Sequence, residues 1–597
     1  MTEQGVARVD GERTGRSRRR TVFVVVAVIL GLIVIAAVYL GYLAIKAKGE
    51  LESARTHANA ARSAVVDGDV GRARSEAASA DSDSSAAKSR TDNPVWSAAS
   101  AIPWLGSPLD SVSEISDVVD DLASQVLTPT AELATTLDPN TLRTGATGIN
   151  TAALAGAESK LATIATSAEA IDARAQRIDG SWLGQVSDAR DQLRSQTTKL
   201  SRFIRGTDTA AKLLPPMLGG TEQRRYFFAF QTPAESRATG GLLGAYGVIS
   251  ARRGKVTVDN LGPNTTLRAP SRPIDLGADF DTNYAISRPY VDSRNSNISA
   301  HFPYAAQIWM SMWQQQSGQR LDGALATDPI ALSYLLKATG PITLTGGEQI
   351  TGDNVVPITL STSYQRFGGD NAARKAYLQQ IASKSIDKLT STRGNTGAVL
   401  EALGRAVHER RLMIYSTRPA EQQLLVESGL SHTVSDTSAP YAEVTVGNLG
   451  GNKIDYYLKR SISYSAAACT GDTRTTTVTV TLQNTLTDLS LPSYVIGTLG
   501  NPQNQVAPGT SQINVTLNAT RGAVLQSLTV DGAATLYGTG TELGRPHVMT
   551  QVRVPAGKTA TVVFTLSEPT SATGAAVVPT QPLVDQPDVR VDVPQCR

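Results

Sequence analysis

The longest uninterrupted apolar stretch of the chain lies near its N-terminus, from Val22 to Ile45. It contains 24 residues without a charged side chain. Because a helix needs about 20 apolar residues to cross the hydrocarbon core of a bilayer, this stretch predicts a transmembrane helix over residues 21–46. The alternative is a cleaved signal peptide, whose apolar region would have only about 7–15 residues.

Positive charge is concentrated on the N-terminal side of this stretch. The arginines there are Arg13, Arg16, Arg18, Arg19 and Arg20. Since positively charged flanks stay in the cytoplasm, we expect residues 1–20 to form a disordered cytoplasmic tail and the bulk of the chain to be extracytoplasmic. The sequence therefore predicts a single-pass protein of the cytoplasmic membrane.

Three regions that differ in composition and in the spacing of apolar residues follow the apolar stretch, so we expect a multidomain α and β protein. Residues 47–205 place apolar side chains at helical spacing among Ala, Ser and Asp, which predicts an extracytoplasmic helical bundle or stalk. Residues 206–435 alternate strands with helices, which predicts a three-layer α/β domain with strands at 224–230, 242–251 and 255–261. The segment 262–303 is predicted as a long loop rich in Arg and Asp.

Residues 440–597 alternate apolar and polar side chains with period two between turn residues, which predicts an immunoglobulin-like β-sandwich. Cys469 and Cys596 both lie in this region. A disulfide between them would stabilise the fold by roughly 4 kcal/mol in the chain-entropy model. Spacing alone leaves open whether the two thiols meet.

Composition narrows the classes of function. The chain has 56 Lys and Arg against 53 Asp and Glu, and this balance argues against a nucleic-acid partner. Its five histidines are scattered without the pairing of a zinc hydrolase. The glycines after Thr239 precede a predicted strand, whereas a dinucleotide-binding turn would precede a helix.

An arginine and carboxylate set in the α/β region is the remaining candidate for chemistry. Several planar guanidinium groups can grip a pyrophosphate, and a carboxylate can hold Mg²⁺ or accept a proton. Surface ion pairs are the alternative explanation. The candidates are Glu235, Arg237, Arg268, Arg272, Arg294, Asp328, Arg366, Asp370 and Arg374.

The segments PAESRATGGLLGAYG and LDGALATDPIALSYLLKATGPITL resemble an uncharacterised family of single-pass membrane proteins from high-GC Gram-positive bacteria. Its signature is close to A-E-x-R-x-T-G-G-F-x-G-x-Y-G, and Leu242 stands where phenylalanine is usual. The order of motifs is also similar, more distantly, to that of the LytR–CpsA–Psr phosphotransferases, which attach lipid-pyrophosphate-linked glycopolymers to the cell wall.

The distant resemblance implies roles for individual residues. It implies Arg237, Arg366 and Arg374 on the pyrophosphate, Asp370 as base or arginine orienter, and Glu235 near Mg²⁺. Further substrate contacts are expected from Thr239, Gly240, Gly241, Arg268, Arg294 and Asp328. The metal-binding D-T pair of that family has no counterpart here, so a related fold without catalysis stays open.

Two functions follow as expectations. The first is an extracytoplasmic envelope protein that binds polyprenyl-pyrophosphate-linked glycopolymers, with their phosphotransfer to the cell wall left open. The alternative is a non-catalytic envelope scaffold or adhesion protein that uses the stalk and the β-sandwich. Convergence of the predicted arginines and carboxylates on one pocket would favour the first.

Overall fold

The computed structural model describes residues 14–104, 106–134, 136, 142–144, 148–391, 396–499 and 505–596. The chain forms two compact units, one made of residues 1–142 with 152–212 and the other of residues 143–151 with 213–597. Most of the predicted tail lies outside the described residues, and the first helix already begins at Thr14. The protein is a mixed α and β structure with several sheets, as the sequence predicts.

The first unit is built from helices, the last of which continues into the second unit. These are α1 (Thr14–Asp67), α2 (Val70–Thr91), α3 (Pro94–Ser100), α4 (Ser107–Leu122), α5 (Thr128–Leu133), α6 (Thr151–Ala175) and α7 (Gly184–Met217). Among the described residues, α1 is the one helix long and apolar enough to cross a membrane. The predicted apolar helix is therefore present, although it begins before residue 21.

Small side chains set the packing of α1 against α2. The buried contact consists of alanines, with Ala61 and Ala64 on α1 and Ala73 and Ala77 on α2. After the turn, the Asp69 carboxylate caps α2 by accepting a hydrogen bond from the backbone N–H of Arg72 at 3.0 Å. The alanine-rich composition thus lets α2 run back along α1 at close approach.

A seven-stranded sheet lies at the centre of the α/β part of the second unit. The strands of this part are β1 (Arg143–Thr144), β2 (Gly148–Ile149), β3 (Arg224–Arg237), β4 (Gly240–Arg252), β5 (Lys255–Pro263), β6 (Gly323–Thr327), β7 (Ile342–Thr343), β8 (Gln349–Ile350) and β9 (Met413–Ser416). The large sheet has the order β1-β2-β5-β4-β3-β6-β9, while β7 and β8 pair separately. Strands β1 and β2 lie inside the region predicted as a helical bundle, and each is too short to show an alternating pattern.

Helices lie on both faces of this sheet. They are α8 (Ala278–Tyr284), α9 (Phe302–Ser317), α10 (Pro329–Thr339), α11 (Val355–Pro357), α12 (Ser363–Phe367), α13 (Asn371–Ser391), α14 (Thr396–His408) and α15 (Pro419–Glu427). On one face Phe227 of β3 stacks on Trp309 of α9 with ring centroids 5.6 Å apart. The predicted loop 262–303 is partly ordered by α8, whose Phe280 is buried in the same core.

Two further sheets share one core in the C-terminal part. Their strands are β10 (Ala442–Asn448), β11 (Leu458–Ala466), β12 (Thr473–Asn484), β13 (Ser511–Ala519), β14 (Val524–Val530), β15 (Ala533–Ala534), β16 (Tyr537–Glu542), β17 (Arg545–Val554), β18 (Thr559–Pro569) and β19 (Asp588–Asp592), with α16 (Ser493–Ile496) between β12 and β13. The sheets have the orders β10-β13-β17-β16 and β15-β14-β18-β12-β11-β19. Alternate residues such as Val480, Val515 and Phe564 fill the core between them.

The α/β part from residue 213 onward and the C-terminal β part both belong to the second compact unit. Polar contacts between them are buried. Tyr284 donates its hydroxyl hydrogen bond to Glu542 at 2.6 Å, and Arg411 donates to the Leu583 carbonyl at 2.9 Å. The two parts are therefore locked together and are expected to unfold as one.

Cys469 and Cys596 form a disulfide with their Cα atoms 5.6 Å apart, which closes a sequence separation of 127 residues. Replacing both with serine is expected to lower the free energy of unfolding by about 2–5 kcal/mol, because the unfolded chain regains loop entropy. Urea unfolding of the oxidised protein and the double variant measures the difference. Equal stability of the two would contradict a native bond.

Candidate anion and lipid site

A cavity of about 970 Å³ lies in the second unit, where β3, β4, α10, α13 and β10 meet. Its volume is at the upper end of the range for ligand pockets. Strand alternation explains one wall, because Phe228 and Phe230 of β3 face the cavity while Phe227 and Ala229 face the core under α9.

Helix α13 forms the opposite wall, and the character of its inner face changes along its length. Arg374 and Lys375 line the cavity in the first turn, followed at helical spacing by Leu378, Ile381, Ala382, Ile386 and Leu389. From Arg374 to Leu389 the helix rises by about 22 Å at 1.5 Å per residue. The cavity wall therefore has a cationic end and a long apolar end.

Cations outnumber anions around the cavity. Among the described residues that line it, five side chains are cationic and three are anionic, which gives a net charge of +2. These residues are Arg237, Arg294, Arg374, Lys375, Lys453, Glu235, Asp292 and Asp328. The excess of cations favours an anionic group at this end.

A bulge in β3 places Glu235 and Arg237 beside the cavity. Pro233 cannot donate to the strand ladder, and the pairing with β4 shifts register between Thr232 and Ser236. A Cβ atom on Gly241 would lie 2.2 Å from the carbonyl carbon of Thr232, so this position accepts only glycine. The T-G-G segment is explained by this close approach of two strands.

Glu235 is the centre of a buried ion cluster. Arg237 Nη2 donates to Glu235 Oε1 at 3.1 Å, and the Lys453 ammonium contacts Oε2. Burial tends to raise the pKa of Glu235, but the Lys453 and Arg237 cations outweigh burial and hold this pKa below its usual value. The attraction between the carboxylate and the two cations offsets the cost of burying these charges.

Arg237 is fully engaged by the protein. Its Nε donates to the Arg294 carbonyl at 2.8 Å, its Nη1 to the Ser236 and Asn448 carbonyls at 2.8 and 3.3 Å, and its Nη2 also to Asn295 at 3.3 Å. These contacts and the one to Glu235 satisfy all five donors. Arg237 therefore ties β3 to neighbouring segments, whereas the sequence predicts it on a pyrophosphate.

Arg374 differs from Arg237 because part of its guanidinium has no partner. Its Nε and Nη1 atoms make no hydrogen bond within the described residues. The whole residue is only 4% exposed, so these two atoms are also shielded from water. The guanidinium carbon lies 4.5 Å from the ring centroids of both Tyr364 and Tyr494. Buried unpaired donors of a charged group are costly, so an acceptor from a ligand would stabilise this side chain.

The electrostatics of the surrounding groups agree with a cationic site. Burial raises the pKa of the Tyr494 phenol, but the Lys453 and Arg374 cations outweigh burial and leave this pKa below its ordinary value. Burial lowers the pKa of Lys375, whose ammonium donates to the Thr265 hydroxyl at 2.9 Å. Both directions reflect the positive charge of Arg374 at this end of the cavity.

Several of the predicted charged residues do not line the cavity. Arg366 is exposed and pairs with Glu348 at 2.8 Å. Asp370 is exposed and caps α13 by accepting from the Ala373 N–H at 2.9 Å, so it positions the helix that carries Arg374. Arg268 is also exposed.

The other predicted substrate contacts serve the fold. Arg294 lines the cavity but pairs with Asp292 at 2.7 Å, and Asp328 pairs with Arg411 at 2.7 Å. Burial raises the pKa of Asp328, although Arg411 opposes this shift. Thr239 lies in the turn between β3 and β4 and donates to Gln231 at 2.7 Å. Gly240 and Gly241 begin β4, and none of these three residues is part of the cavity lining.

The residues around Glu235 do not fit the Mg²⁺ site that the resemblance implies. Both carboxylate oxygens contact cations, and the nearby Asp455 accepts two hydrogen bonds from Ser236 at 2.6 and 2.9 Å. Within the described part of the chain, no group of three His, Cys, Asp or Glu side chains is placed to hold a metal ion.

Sequence reasoning missed Lys453, Tyr364 and Tyr494. Lys453 contacts Glu235, which lies 218 residues earlier in the chain. The sequence pattern around Lys453 indicates only the β-sandwich. Tyr364 precedes the predicted Arg366 by two residues, so the same motif could have indicated it. No local pattern marks Tyr494.

A search of curated proteins gives no match. Residues 221–364, which include the β3 bulge, β4, β6, α10 and Tyr364, match a family model. That family is described as "Protein of unknown function (DUF4012)", and this match confirms the predicted domain-of-unknown-function family for this part of the chain.

Proposed function

We propose that this is a single-pass envelope protein whose cavity binds an amphiphile with a long apolar chain and a phosphate or pyrophosphate head group. The LytR–CpsA–Psr resemblance suggests polyprenyl-pyrophosphate-linked glycopolymers as its class. The observation that carries the proposal is the inner face of α13, where Arg374 has two unpartnered donors among the described residues and is followed by a mainly apolar wall. This wall runs for about 17 Å from Leu378 to Leu389 and includes the polar Gln379 and Ser385.

The head group is assigned to the cationic end. The free Nε and Nη1 donors of Arg374 can each donate a charge-assisted hydrogen bond to a phosphate oxygen. Lys375 adds a second cation from the next position of α13. The hydrocarbon chain would lie against Leu378, Ile381 and Leu389, where burial of apolar area supplies most of the binding free energy.

The proposal covers binding and leaves out transfer to the cell wall. Asp370, the predicted base, caps a helix at the surface, and Arg366 pairs with Glu348. A scaffold or adhesion role is the alternative. It would be favoured if the folded protein took up no lipid.

Blocking the apolar wall should abolish lipid uptake. The variant Ala382→Trp places a large ring inside the cavity, and we expect it to weaken binding of fluorescent polyprenyl phosphate by about tenfold or more. The matched control is Leu400→Trp, because Leu400 is exposed and does not line the cavity. Unchanged affinity of a folded Ala382→Trp protein would contradict the proposed site.

A further inference from the structure

Four large apolar side chains are exposed together in the first unit. They lie in two turns, one between α3 and α4 and the other between α6 and α7. Their exposed fractions are 47% for Ile102, 79% for Trp104, 55% for Trp182 and 41% for Leu183. We call these residues the aromatic patch.

Specific contacts hold the patch together. The two indole rings stack with centroids 6.1 Å apart, and Trp182 Nε1 donates to the Trp104 carbonyl at 2.9 Å. The Ser107 hydroxyl joins the same two turns by donating to the Gly180 carbonyl at 3.3 Å. The exposed rings are therefore fixed side by side on an ordered surface.

The chain reaches the first turn of the patch from the end of α2, which lies beside the C-terminal part of the apolar stretch of α1. Helix α2 runs back along α1, and the Asn93 side chain at its end donates to the Tyr39 hydroxyl at 3.4 Å. Leu43 is buried, whereas Ile45 on the same turn of helix is 75% exposed. Charged residues begin at Lys46, about 10 Å along the helix from Tyr39.

We infer that the aromatic patch inserts into the outer head-group region of the bilayer that α1 crosses. This inference rests on the membrane anchor in the proposed function. Tryptophan and tyrosine concentrate at membrane interfaces, because their rings are apolar and their N–H or O–H groups are polar. Tyr39 and Tyr42, stacked with centroids 6.3 Å apart, belong to the same belt.

Continuity with α1 identifies the occupant. The chain enters the patch from the Asn93–Tyr39 contact, close to where the apolar stretch of α1 ends, so lipid head groups are the surface that we expect the patch to meet. Membrane contact through the two turns adds a second point of attachment, which fixes the tilt of the helical unit at the membrane.

Bromolipid quenching tests the inference on the full chain in nanodiscs. Three of the five tryptophans, Trp96, Trp309 and Trp313, are buried, so the exposed pair should dominate quenching. We expect brominated phosphatidylglycerol to quench the native fluorescence. The variant Trp104→Phe with Trp182→Phe should lose about half or more of this quenching, whereas Trp313→Phe should keep it.

The outcomes separate the inference from the anchor. A chain that enters nanodiscs but is not quenched, or a double variant quenched like the native protein, would overturn membrane contact by the patch and leave the anchor in place. A chain that does not enter nanodiscs would overturn both. If a protein partner covers the patch instead of lipid, the tryptophan fluorescence should not be quenched by the brominated lipid.

Discussion

Replacing Arg374 with leucine is expected to weaken binding of polyprenyl phosphate by roughly 10–100-fold, which corresponds to the loss of charge-assisted hydrogen bonds to the head group. Leucine keeps an apolar side chain against Tyr364 and Tyr494, so the cavity wall stays intact. Affinity for polyprenol, which lacks the phosphate, should change little. Titration of the purified full chain with both lipids measures the two effects.

The matched control is Arg366→Leu. Arg366 lies eight residues earlier, but its guanidinium is exposed and paired with Glu348. This variant should bind both lipids as the native protein does. The proposed head-group site is contradicted if Arg374→Leu binds polyprenyl phosphate normally, or if it loses affinity for polyprenol to the same extent.

Replacing Lys453 with methionine is expected to lower the free energy of unfolding by about 3–5 kcal/mol, because Glu235 would stay buried with only one cation beside it. Urea unfolding at pH 7 measures the loss. In the variant Lys453→Met with Glu235→Met, we expect part of the stability to return, because the buried carboxylate is removed while Arg237 keeps only its neutral hydrogen-bond acceptors. The exposed pair Arg366 and Glu348 provides a control that should cost less than about 1 kcal/mol.

The same cluster predicts a dependence of stability on pH. The pKa of Glu235 is lowered in the folded protein, so its contribution is fully present above the ordinary pKa of about 4.5 and is lost as the pH falls through the lowered value. The stability difference between the native protein and Lys453→Met should therefore shrink at acid pH. A difference that grew on acidification would contradict an ionised Glu235.

Local patterns predict the elements of this fold but not its long-range contacts. The aromatic segment 224–230 predicts a strand, and β3 contains it. Local pattern does not predict the bulge at Pro233, because this bulge depends on how closely β4 approaches β3 at Gly241. The disulfide stayed open at the level of sequence for a similar reason, since its two cysteines are brought together by strands on either side.

The candidate site divides in the same way. Composition and resemblance select Glu235, Arg237 and Arg374, and the structure places all three on one cavity. Composition and resemblance could not distinguish a guanidinium whose donors are all satisfied from one with free donors. The reason is that the acceptors of Arg237 come from segments up to 211 residues away. Arg366 and Asp370 fit the motif but lie on the outer side of the helix entry.

Photolabelling of the full chain with a polyprenyl phosphate that carries a photoreactive group in its hydrocarbon chain tests the central claim most directly. Mass spectrometry of the labelled peptides should find label in residues 329–339 and 371–391, which form α10 and α13, and Arg374→Leu should reduce it. Label confined to α1, or label in these helices that is insensitive to Arg374, would contradict a lipid held in the cavity by this arginine.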